Sequence, residues 1–177
     1  IQVLASTAMR PVTWHDVGAD YILVSHGSIH SSASLQVNDG VTVRFDQGAY
    51  INNYGELHGV GTSADQVHFT RRHDGAEWNG LFFHNGATGA LSHCTVDHAT
   101  YANGYGVYAR QAGSLALTSC EFTHNDYGVY ADDCSPSFIN CLVTNNTMFG
   151  VYLAGNAVPT FGSSLASRRP RCRRLVW

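Results

Sequence analysis

Lysine is absent: all ten basic residues are arginine. This reads as the mark of a GC-rich coding sequence rather than of a mechanism. Charge of either sign is scarce at 13% of 177 residues, about half the share of an ordinary globular chain. Long apolar runs are missing too. None approaches the roughly 20 residues that a membrane-crossing helix needs, so no membrane span is expected. No window carries the i, i+3, i+4, i+7 apolar stripe of an amphipathic helix, and almost no helix is expected. The five cysteines include no Cys-x-x-Cys pair and are odd in number. That argues against a closed disulfide framework and against a structural zinc site. Nothing has the form of a Ser-His-Asp triad, a glycine-rich phosphate loop or a nucleotide site; Gly59-x-Gly61 and Gly104-x-Gly106 fall in turns and strands.

What is plentiful is glycine, with 18 residues, alongside Asn, Ser and Thr. Such a composition fits short strands separated by many turns. At 44% apolar, the chain is long and apolar enough for one continuous core. Its organising stretch is Tyr105-Gly106-Val107-Tyr108, which returns as Tyr127-Gly128-Val129-Tyr130 and as Phe149-Gly150-Val151-Tyr152, at offsets of 22 residues each. A fixed period of this size is the mark of a solenoid or array. A second repeat runs in step with it. Leu91-Ser92-His93-Cys94-Thr95-Val96 aligns with Leu117-Thr118-Ser119-Cys120-Glu121-Phe122 and with Phe138-Ile139-Asn140-Cys141-Leu142-Val143. Trp78-Asn79-Gly80-Leu81-Phe82 is an earlier, degenerate copy of the Gly-Val-Tyr strand. Thr100 to Asn103 are extra residues and predict a protruding loop. Upstream, Ile22-Leu23-Val24, Ser34-Leu35-Gln36-Val37, Val41-Thr42-Val43-Arg44-Phe45 and Val67-His68-Phe69-Thr70 alternate with a period of two, the pattern of strands.

Two or three short strands per unit of 22 residues, without helix, is the layout of a parallel β-helix. On these repeats the chain resembles the right-handed single-stranded parallel β-helices of the pectate-lyase-like superfamily, in particular the repeat regions of bacterial secreted and surface proteins. The expectation is an all-β solenoid of about six or seven coils. Residues 1–20 are a cap or lead-in with Trp14 over the open end, 21–165 the β-helix, and 166–177 an arginine-rich tail. The resemblance implies an extracellular or cell-surface setting, but a fold does not by itself imply a function. The chain starts at Ile1 without a charged leader, which suggests a removed signal peptide or a start inside a longer protein.

Alternation sorts the side chains. With Val107 inward, Tyr105, Tyr127 and Phe149 are expected to form an inward column, and Cys94, Cys120 and Cys141 another. Phe82, Tyr108, Tyr130 and Tyr152 then form an outward strip, which reads either as a stacking platform for sugar rings or as a self-stacked ladder. Two residues beyond each ring come His84, Arg110, Asp132 and Ala154, with Arg110 and Asp132 in salt-bridge reach. The ligand-binding candidates are therefore Phe82, Tyr108, Tyr130, Tyr152, Arg110 and Asp132. At another corner Asp97, His98, His124 and Asp126 are weak candidates for a divalent metal, against the plainer reading of a hydrogen-bonding turn ladder.

Enzymatic readings are weaker. Asp132-Asp133 resembles the paired aspartates of polygalacturonases, but the other motifs of that family are absent, and neighbours on a strand face opposite ways. Asp132, Arg110 and His84 are the weak catalytic candidates. Arg168-x-Pro170-x-x-Arg173 matches a pectate-lyase pattern only in letters, in a segment that is half arginine. No cofactor is implied, and calcium would enter only if the chain were a lyase.

Residues 168–177 carry a net charge of +5 and the remainder −8. The tail reads as a basic arm or, preferably, as the product of a truncated or frame-shifted coding sequence. An uncapped last coil would expose core and free strand edges, so a homo-oligomer packed through that end is expected. Polysaccharide is the expected partner and nucleic acid is not. The leading function is non-catalytic polysaccharide recognition. The alternatives are a ligand-free structural or assembly module, and a polysaccharide lyase or glycoside hydrolase.

Overall fold

The computed structural model describes residues 1–4 and 6–162. These form 21 short strands, with no helix among the described residues. The strands lie in three seven-stranded sheets. Every pairing is parallel, and every coil contributes one strand to each sheet. The first sheet runs from Gln2–Val3 to Leu142–Thr144, the second from Ser6–Ala8 to Phe149–Ala154, and the third from Val12–Trp14 to Thr160–Phe161. This is the expected parallel β-helix, with seven coils. The stretch expected as a lead-in supplies one strand to each sheet, and Trp14 stacks on Tyr21 at a centroid distance of 4.8 Å. The arginine-rich tail, with its lyase-like letters and the missing cap on which the expected oligomer rests, lies outside the described residues.

The core forms because equivalent residues stack coil on coil. Val43, Phe69, Val96, Phe122 and Val143 are consecutive partners across the first sheet, and all are buried. Alternating a ring with a branched aliphatic keeps the column full without overcrowding the bore. Leu91, Leu117 and Phe138 form a column on the third sheet, and Cys94, Cys120 and Cys141 are buried free thiols beside it. The inward cysteine column is thus observed.

Corners repeat as faithfully as strands. His93, Ser119 and Asn140 have φ of 49°, 52° and 53° where the chain passes from the third sheet to the first. His98, His124 and Asn145, at 57°, 56° and 53°, do the same from the first sheet to the second. The left-handed conformation turns the chain in a single residue, and Asn and His tolerate it better than most. Ala102 and Asn103 share it, with φ of 50° and 65°, in the exposed loop at Thr100–Asn103.

One expectation fails. Tyr105, Tyr127 and Phe149 do not point inward. Both Gly106 and Val107 are buried, so alternation slips by one residue at the glycine. The register shows the same slip: Gly80 pairs with Tyr105, yet the next residue, Leu81, pairs with Val107. The cause lies inside the corner. A Cβ on Gly106 would stand 2.5 Å from Gly128 O and 3.0 Å from Asn125 Nδ2. One on Gly128 would stand 2.4 Å from Gly150 O and 2.9 Å from Asn146 Nδ2. Each buried asparagine occupies the space that an inward side chain would need. Only glycine fits there, and the preceding aromatic residue is turned out to the surface.

Candidate functional site

The slip changes the second sheet's outer surface. Tyr105, Tyr127 and Phe149 form a second aromatic column beside Tyr108, Tyr130 and Tyr152. Within the Tyr108 column, centroids are 5.0 Å apart at each step and the planes lie 15° and 12° from parallel. In the Tyr105 column they are 4.9 and 5.4 Å apart, at 30° and 26°. Between the columns the rings meet edge to face, at 5.0 Å for Tyr105–Tyr108 and 6.0 Å for Tyr127–Tyr130. Phe82 continues the block, 5.4 Å from Tyr108 and 6.1 Å from Tyr105, and Tyr50 joins it at 5.6 Å from Phe82. All eight rings are half-buried, neither sealed in the core nor fully free.

This geometry revises the platform picture. The column step of 5.0 Å nearly equals the spacing of adjacent strands, about 4.8 Å. Ring faces therefore look along the coil axis and are covered by their neighbours. What reaches solvent is ring edges and phenol hydroxyls. Tyr21 donates its hydroxyl to His15 O at 3.1 Å. Among the described residues, no protein group takes a hydrogen bond from the hydroxyls of Tyr105, Tyr108, Tyr127, Tyr130 or Tyr152. Desolvation, then Tyr127, Tyr108 and Asp126, raises the pKa of Tyr105; desolvation, then Asp132 and neighbouring tyrosines, raises that of Tyr130. Both are protonated donors at neutral pH.

The polar row beside the rings is only partly assembled. Arg110 and Asp132 are register partners, with Nε 3.4 Å from Oδ2. Asp132 is in turn the partner of Ala154. The Arg110 side chain is 63% exposed, so the pair is a surface one, worth about 0–1 kcal/mol. His84 is held apart from it, stacked 4.4 Å from Tyr54 and hydrogen-bonded through Nε2 to Asn52 Oδ1 at 2.7 Å. Its burial lowers its pKa, and an amide partner offers no charge to oppose that. Asp133 turns to the next coil, where its Oδ1 accepts from Asn156 N at 2.9 Å and Nδ2 at 3.1 Å. It therefore fixes a turn rather than pairing with Asp132.

The corner between the first and second sheets is a hydrogen-bonded ladder. His98 and His124 stack at 5.2 Å with planes 7° apart. His98 Nδ1 lies 2.8 Å from Asp97 Oδ1, which also accepts from Thr70. Asp126 accepts from Thr147 Oγ1 at 2.5 Å. Each carboxylate is thus engaged with its own neighbours. No group of three His, Cys, Asp or Glu side chains suited to a metal occurs among the described residues.

What the sequence did not show is that the turn residues Asn125 and Asn146 are buried, nor the outward role of Tyr105, Tyr127 and Phe149. Asn125 accepts from Ala99 N at 2.9 Å and donates to Val96 O at 3.0 Å. Asn146 accepts from Asn125 N and donates to Phe122 O, both at 3.0 Å. These amides satisfy backbone groups that the turn would otherwise bury unpaired. The available signal was the glycine itself, which a regular strand has no reason to repeat.

The family described as the right-handed β-helix region matches residues 15–168. That is most of the chain, and the chain belongs to this family. No curated protein and no solved structure matches it.

Proposed function

We propose that the protein is a non-catalytic β-helix module of a secreted or surface protein, and that it recognises polysaccharide along the aromatic face of the second sheet. The observation behind this reading is the block of eight half-exposed rings, six of them tyrosines whose hydroxyls have no partner among the described residues. A solvent-facing patch this aromatic and this regular is unusual on a monomer's surface. Its rings present an apolar edge and a polar tip together, the combination that suits a polyhydroxylated chain. The repeat along the coil axis suits a polymer of repeating units better than a compact ligand. Binding is edge-on, through ring rims and phenol donors.

The second reading is a scaffold or assembly module without ligand. It is favoured by the rings' use of their own faces for mutual stacking. Retention on immobilised glycans separates the two. Replacing Tyr108 and Tyr130 together by alanine is expected to weaken retention at least tenfold, while circular dichroism still shows the folded coil. Unchanged retention in the folded variant would leave the scaffold reading in place.

A further inference from the structure

The charge around the aromatic face selects among polysaccharides. We infer, resting on the glycan-recognition reading above, that the polymer taken by this face is uncharged, and that polyuronates are excluded from it. Up to Gly162 the chain holds five arginines against thirteen acids, a net of −8. Four of those arginines are already spent. Arg44 pairs with Asp20, Arg71 with Asp74, Arg72 with Asp46 and Arg110 with Asp132. The fifth, Arg10, sits in the first coil ahead of Val12–Trp14, far along the chain from the tyrosine columns. The cation beside the rings, Arg110, is therefore matched by the carboxylate of the next coil.

Acid flanks the block on both sides. Asp126 immediately precedes Tyr127, and Asp132 and Asp133 follow Tyr130, two carboxylates against the single cation Arg110. Both Asp126 and Asp132 act electrostatically on the phenols, since each contributes to the raised pKa of a tyrosine in the block. A polyuronate laid along the columns would bring a carboxylate to each sugar beside these groups. Among the described residues, no unpaired cation stands beside the block to offset the repulsion. Charges closer together than the Debye length, about 8 Å in physiological salt, are not screened from one another. A neutral polymer meets no such obstacle. Its hydroxyls accept from phenols that stay protonated, and its apolar ring edges meet aromatic rims.

The test is affinity electrophoresis of the full chain at physiological ionic strength. Gels contain mixed-linkage β-glucan, galactomannan or polygalacturonate. The comparison is the Tyr108→Phe, Tyr130→Phe double variant, which keeps both rings and so keeps the ladder. A neutral glycan is expected to retard the protein, and removing the two hydroxyls is expected to weaken that retardation about tenfold, the loss of two ordinary hydrogen bonds. Any retardation by polygalacturonate is expected to be the same for the variant as for the parent. Polygalacturonate retardation that falls in the variant as far as the neutral one overturns the inference and leaves glycan recognition standing. No retardation by any of the three polymers overturns both together.

Discussion

Gly106 and Gly128 set the surface chemistry from inside the coil. Each lies where a buried asparagine amide fills the corner, and each leaves the preceding aromatic residue nowhere to go but out. Substituting Gly128 by alanine puts a methyl group 2.4 Å from Gly150 O and 2.9 Å from Asn146 Nδ2. Those neighbours are a backbone carbonyl and an amide already tied to Phe122 O, so neither can yield cheaply. A loss of about 1–3 kcal/mol in a urea titration is expected, typical of overpacking. Gly27→Ala is the contrast on the same sheet. Its new methyl meets side-chain atoms alone, at 3.4 Å or more, and little change is expected. Equal losses for the two would contradict the account of the slip. This is also where sequence reasoning stopped short. Strict alternation predicted an inward Tyr105 because it took no account of Asn125, whose turn-like position gave no sign that its side chain enters the core.

Strands and ladders were the most legible level. The 22-residue offset, the Leu-x-x-Cys repeat and the period-two segments gave a parallel coil of two or three strands per unit, because such a coil must place like on like, and the structure has three. The strand Gly27–Ile29 was not foreseen, since Gly-Ser-Ile has too little apolar alternation to stand out. Its pairing with Tyr50–Asn53 is what makes it a strand. The cysteine ladder has a chemical consequence at this scale. The largest influence on Cys120, the neighbouring Cys141 thiol, pulls its pKa down, but the Cys94 thiol and burial outweigh that and push it up to about 12. Cys141 is raised through Cys120 and burial, and Cys134 chiefly through burial. The thiolate is the reactive form. In a Cys172→Ser variant at pH 8, the remaining thiols are expected to ignore Ellman's reagent until denaturant is added, and then to react together. Rapid labelling of the native protein would show that the column is not sealed.

At the scale of the whole molecule, the coil is a device for repeating one surface chemistry along an axis. The fold is readable from the sequence because repetition amplifies a weak local signal. The candidate site is less so. Tyr108, Tyr130 and Tyr152 were recognised as outward, but three of the eight rings, Tyr105, Tyr127 and Phe149, came from a slip visible only in three dimensions. The sugar-platform geometry also gave way once the rings proved to face each other along the coil. The metal candidates at Asp97, His98, His124 and Asp126 likewise resolved into separate hydrogen-bonded pairs. What the molecule then offers a partner is a row of phenols on an acidic body. The most direct measurement is ¹⁹F NMR of the chain labelled with 3-fluorotyrosine, titrated with an oligosaccharide of mixed-linkage β-glucan or galactomannan. The account predicts that the resonances of Tyr105, Tyr108, Tyr127, Tyr130 and Tyr152 move together, while those of Tyr21 and Tyr101 stay in place. Shifts confined to Tyr21 or Tyr101, or no shift at saturating ligand, would contradict it.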